Sequence, residues 1–116
     1  MVWNGDADIY AATAGLAGMI AATDEFAALR ASRKKITGDD RLRPMLEDYE
    51  RSLRKLESDI DSDADGSVMG AVRDHYRHLC KIPEFFMYFN AEREFSGILG
   101  NAWQQLHDLI EKLICE

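Results

Sequence analysis

Three groups of residues in this 116-residue sequence have types and spacings that could do chemistry: the stretch Asp61-Ser62-Asp63-Ala64-Asp65-Gly66, the pair His75 and His78, and the cysteines Cys80 and Cys115. A calcium loop of the EF-hand kind opens with carboxylates at alternate positions closed by a glycine, and it needs a bidentate glutamate at its twelfth position. Counted from Asp61, the ninth position is Met69 and the twelfth is Val72, while Asp74 falls two residues too late. The stretch therefore predicts a polar connector, with Ser67 or Asp65 capping the helix that follows. Asp61, Asp63 and Asp65 are expected to hold a cation weakly at most. His75 and His78 offer two metal ligands on neighbouring helix faces, with no third specified nearby, so they read as surface histidines. Cys80 falls beside an apolar stripe and reads as an inert buried thiol. Cys115 is accessible, but a lone cysteine ligates an iron–sulfur cluster only if other chains supply the rest.

No glycine-rich phosphate loop and no nucleophile paired with a base occur in a recognisable motif. The sequence thus nominates no catalytic residue and no cofactor. Two rivals to a non-enzymatic protein stay open: a metal- or cluster-dependent sensor using the acidic turn or Cys115, and a small all-helical enzyme built from Arg, Lys and Glu on long helices.

The elements that must position these residues are helices. Only two prolines, Pro44 and Pro83, interrupt stretches rich in Ala, Leu, Glu, Lys and Arg, and the 47% hydrophobic content suffices for the modest core of one all-α domain spanning 1–116. Five helices are expected. The first runs from about Asp8 to Ala22, and its alanines and glycines suit close approach by another helix. Thr23 caps the second, with Asp24 and Glu25 in its first turn, Phe26, Leu29 and Ile36 facing inward, and Gly38 ending it. Asp39 or Asp40 caps the third, in which Leu42, Met45 or Leu46, Tyr49, Leu53, Leu56 and Ile60 recur every three or four residues. The fourth covers about Ser67 to Lys81, with Val68, Val72, Tyr76 and Leu79 or Cys80 on one side.

Pro83 opens the last helix, which would be about 50 Å long if unbroken to Cys115. It carries two apolar stripes. Tyr88, Ala91, Phe95, Ile98, Ala102, Leu106, Leu109 and Leu113 form one; Phe85, Phe89, Leu99, Trp103, Ile110 and Ile114 form the other. One stripe suffices for the chain's own core, so the second is assigned to a dimer interface, with an identical or a related chain.

The net charge of −7 argues against direct nucleic-acid binding. Six of the fourteen basic residues nevertheless cluster as Arg30, Arg33, Lys34, Lys35, Arg41 and Arg43, which marks a solvated helix end or a docking patch for an acidic protein partner. The amino terminus has neither the basic flank nor the leucine-rich run of a signal peptide, and residues 9–22 form too short an apolar run to cross a bilayer. Two cysteines on helical segments give no disulfide framework and fit a reducing cytoplasm.

The runs LAGMIAATDEFAALRASRKKITGDDRLRPMLEDYERSLRKLES and IPEFFMYFNAEREFSGILGNAWQQLHDLI, about residues 8–114 taken together, resemble the YlbF/YmcA family of small helical bacterial regulators. Leu16, Ile20, the Thr23-Asp24-Glu25-Phe26 helix start, Leu42, Leu46, Tyr49, Pro83, Tyr88, Ala91, Glu92 and Phe95 carry the likeness. The resemblance implies a cytoplasmic helical protein that self-associates through long helices and acts by binding other proteins. It links the chain to control of competence, sporulation, biofilm formation or RNA processing. Some members work in complexes carrying iron–sulfur clusters; their C-terminal cysteine cluster is here reduced to Cys115, which implies a member without the cofactor.

Overall fold

The computed structural model describes residues 5–59, 61–62 and 66–115, with side chains from residue 7 onward; Ile60, Asp63 and Asp65 lie outside the described residues. Among these, five α-helices and no strand occur: α1 Gly5–Ala21, α2 Asp24–Thr37, α3 Leu42–Asp59, α4 Ser67–Leu79 and α5 Pro83–Cys115. The fold is all-α, as the periodicity requires.

Local chemistry sets most of the boundaries. The Thr23 hydroxyl accepts from the Phe26 N–H at 3.2 Å and donates to the Ile20 carbonyl at 2.7 Å, so one side chain closes α1 and caps α2. Asp39, not Asp40, caps α3: its Oδ1 accepts from the N–H groups of Arg41 at 2.8 Å and Leu42 at 3.3 Å. The Arg41 N–H is the main reason that the Asp39 carboxyl titrates below its ordinary range. Asp40 instead pairs with Arg43 at 2.8 Å. Pro83 begins α5, where its missing N–H is not needed, and the Phe86 N–H already reaches the Ile82 carbonyl at 2.9 Å.

Two glycines act differently from expectation. Gly66 is the position with positive φ among the described residues, at 70°, and it occupies the N-cap of α4. Ser67 is therefore the first residue of α4 and not its cap. Gly38 does not adopt the left-handed helix ending expected of it; a Cβ there would crowd the Lys34 carbonyl oxygen at 3.0 Å, in the turn closed by its own N–H. The fourth helix stops at Leu79, two residues short of the expected end, as the Cys80 and Lys81 N–H groups turn back to the carbonyls of Tyr76 and His78.

Packing divides the chain into two compact units, Ala31–Asn90 and the pair of segments Met1–Arg30 and Ala91–Glu116. In the first of these, α3 and α4 lie side by side. Tyr49 meets His75 and Tyr76, whereas Ser52 and Lys55 lie beside Ser67, Val68 and Val72, so the two helices run antiparallel. Ile36, Leu42, Leu46, Val72, Leu79 and Phe85 are buried there, three of them with no exposure at all. Phe89 sits at the centre of an aromatic cluster, with ring centroids 4.6 Å from Tyr76 and 5.6 Å from both Tyr49 and Tyr88. Arg33 braces the margin of this cluster. Its guanidinium donates to the Tyr88 hydroxyl at 2.9 Å and lies 2.9 Å from Glu50 Oε1. That oxygen is sealed from solvent without a well-aligned donor, so Arg33 compensates it chiefly as a charge. Desolvation opposes the Arg33 charge most, but Glu50 and Tyr88 together outweigh it and raise its pKa.

In the second unit α1 runs beside the C-terminal part of α5 in the opposite direction, since Leu16 and Ile20 flank Leu99, Trp103 and Leu106 while Ile9 and Ala12 flank Leu106 and Ile110. Phe26 packs on Phe95 with centroids 5.5 Å apart. Ile20, Phe26, Leu29, Phe95, Ile98 and Ala102 are half-buried, and Ala91 alone is buried among the described side chains of this unit.

Two outcomes are expected. Phe85→Ala, which empties a fully buried site, costs about 3–5 kcal/mol in urea unfolding. Asp39→Ala lowers the thermal midpoint at neutral pH, while Asp39→Asn, which keeps the acceptor, lowers it less. Because the folded pKa of Asp39 is depressed, its charged form stabilises the fold above the ordinary value of 3.8, and this is lost as pH falls through the folded value. Melting curves from pH 2 to 7 should therefore show the gap between wild type and Asp39→Asn closing in acid.

Candidate functional site

Among the described residues, those singled out by type and spacing do not converge. Asp61 is exposed, and Asp63 and Asp65 lie outside the described residues. Val72, which stands where a calcium loop needs its bidentate glutamate, is buried in the core of its unit, and Met69 is exposed. His75 is half-buried with its ring edge-on to Tyr49 at 5.5 Å, while His78 is exposed, so the two face different surroundings. His107 lies 3.2 Å from Glu111, one turn along the same helix. Cys80 is half-buried and Cys115 exposed. Among the described residues, no group of three or more His, Cys, Asp or Glu side chains is placed to hold a metal ion.

The basic segment is smaller as a docking surface than its sequence suggests. Arg33 is engaged by Tyr88 and Glu50, Arg41 by Asp39 at 3.5 Å, and Arg43 by Asp40 and the Thr37 carbonyl at 3.1 Å. Such exposed pairs are individually weak, but they spend the directionality of three of the six cations on the chain itself. Lys34 and Lys35 remain exposed in the last turn of α2, where the helix dipole favours positive charge, and Arg30 is exposed as well.

The apolar stripes of α5 are divided differently from expectation. Phe85 and Phe89, assigned to a dimer interface by periodicity, are buried in the chain's own aromatic cluster and are not available to a second copy. Leu99, Trp103, Ile110 and Ile114 are exposed, and so are Leu106, Leu109 and Leu113 from the stripe expected to face inward. With Ile9, Tyr10, Leu16 and Met19 on α1, eleven of the fourteen exposed large hydrophobic residues among the described ones fall in the unit made by α1, the start of α2 and the end of α5. Two apolar grooves run between α1 and α5 here. One is lined by Leu16, Ile20, Leu99, Ala102, Trp103 and Leu106; the other continues it past Ile9, Ala12 and Ile110. The glycines Gly15 and Gly18, expected to admit a neighbouring helix, have no described atom from outside their own helix backbone within 4 Å of where a Cβ would stand. No helix among the described residues is long and apolar enough to cross a membrane.

The candidate site is a surface: the open apolar faces of α1 and of α5 beyond residue 98. Residues 9–113 match the family described as control of competence regulator ComK, YlbF/YmcA. No curated protein and no solved structure gives a significant match.

With a core valine in the closing position of the acidic turn, calorimetric titration with calcium is expected to give no micromolar binding isotherm. A saturable micromolar transition would contradict the reading of this turn as a connector.

Proposed function

Because the chain belongs to the YlbF/YmcA family of competence control, we propose that it is a non-enzymatic regulatory protein of the cytoplasm, acting through contacts with other proteins and assembled as a homodimer or with a related subunit. Residues 1–116 work as one module, since the family match runs through both compact units. The exposed amines of Lys34 and Lys35 suit an acidic segment of a partner.

The observation that carries this reading is apolar surface left in water. Among the described residues, eleven large hydrophobic side chains of the unit made by α1, the start of α2 and the end of α5 are exposed, as expected of a surface completed by another chain.

Light scattering at micromolar concentration tests this directly. The expected mass is twice 13.2 kDa for the isolated chain. Ile110→Glu, which places a charge in the groove, is expected to give monomers that keep the ellipticity of α3 and α4. A wild-type chain that scatters as a monomer would contradict self-assembly.

A further inference from the structure

Resting on that self-association, we infer that the second copy docks along α5 in the opposite direction, with the C-terminal parts of the two α5 helices antiparallel and crossing near Trp103. Along the groove, Ser96, Leu99, Trp103, Leu106, Ile110 and Leu113 follow one another at spacings of three and four, the seam of a coiled coil. All six are exposed, Trp103 and Leu113 each at 71%. The wall supplied by α1 covers one flank of this seam and leaves the seam itself open.

Residue size along the seam decides its direction. Small residues gather before Trp103, at Ser96, Gly97 and Gly100, and neither glycine has an atom within 4 Å of a Cβ position. Large ones follow it, at Leu106, Ile110 and Leu113. A parallel, in-register pair would stack Ser96 on Ser96 and Trp103 on Trp103, leaving one layer underfilled and another overfilled, both of which cost packing energy. The antiparallel pair removes both faults, since the smallest residue, Ser96, and the largest, Trp103, each meet a leucine, and the middle layer joins two residues of equal volume. Ser96 meets Leu113 of the second copy, Leu99 meets its Ile110, and Trp103 meets its Leu106. Antiparallel helices also oppose their dipoles favourably, where parallel ones align them.

Disulfide trapping in a Cys115→Ser background reads the direction. In the antiparallel pair, residue 99 lies opposite residue 110 of the second copy, whereas each is about 16 Å along the axis from its own counterpart, too far for a disulfide. Leu99→Cys and Ile110→Cys chains, mixed and mildly oxidised, are expected to give the 99–110 cross-link by peptide mass spectrometry, and neither variant alone is expected to link to itself through the new thiol. Self-linked Ile110→Cys and Leu99→Cys dimers would show a parallel pair and overturn the inference. The wild-type chain and both variants are weighed by light scattering alongside. Dimers without the 99–110 link overturn the direction while leaving self-association intact. Monomers throughout overturn both, and assign the groove to a different protein.

Discussion

Removing apolar surface from water contributes about 25 cal/mol per Å², and in the unit formed by α1, the start of α2 and the end of α5 that contribution is left largely unrealised. No described side chain between residues 7 and 30, or between 92 and 115, is buried. Yet α1 cannot hold its conformation by propensity alone. It has 17 residues, with Gly15 and Gly18 in its interior, each costing about 1 kcal/mol against alanine. A free helix of that length is marginal in water. Its structure must come from packing, and the grooves it makes with α5 supply only one side of that packing. The second copy proposed above would supply the packing on its other side.

The other unit shows what a satisfied arrangement of the same chain looks like. There the α3 stripe closes on α4, Phe89 is enclosed by four other rings, and Arg33 compensates a carboxylate at the edge. Around the positions weighed for metal binding, His75 meets the Tyr49 ring edge-on, Val72 fills the core, and Gly66 turns the chain into α4.

Features fixed within a few residues of each other were legible in the sequence. Thr23 and Asp39 cap because their side chains reach amides two or three residues on, and Pro83 starts α5 because of its own covalent structure. The α3 stripe was legible because its apolar residues are separated by polar ones. Features that depend on which surface meets which were not. Periodicity placed Phe85 and Phe89 on a line with Trp103 and Ile110, but the line changes neighbours along its length, buried at its start and open at its end. The cations of Arg33, Arg41 and Arg43 looked free because their partners, Glu50, Asp39 and Asp40, are set by turns and tertiary contacts and not by charge count. The family likeness, in contrast, rests on packing positions distributed along the chain, and such a signal survives local misreadings.

Hydrogen exchange measured at nanomolar and at tens of micromolar protein tests the central claim most directly, because it reads each unit separately in one sample. If α1 and the end of α5 are completed by another copy, amide protection in 5–21 and 95–115 rises with concentration while that of 42–59 and 67–79 stays constant. Protection of α1 that is already complete at nanomolar concentration and indifferent to dilution would contradict the account, since the chain would then be stabilising that surface by itself.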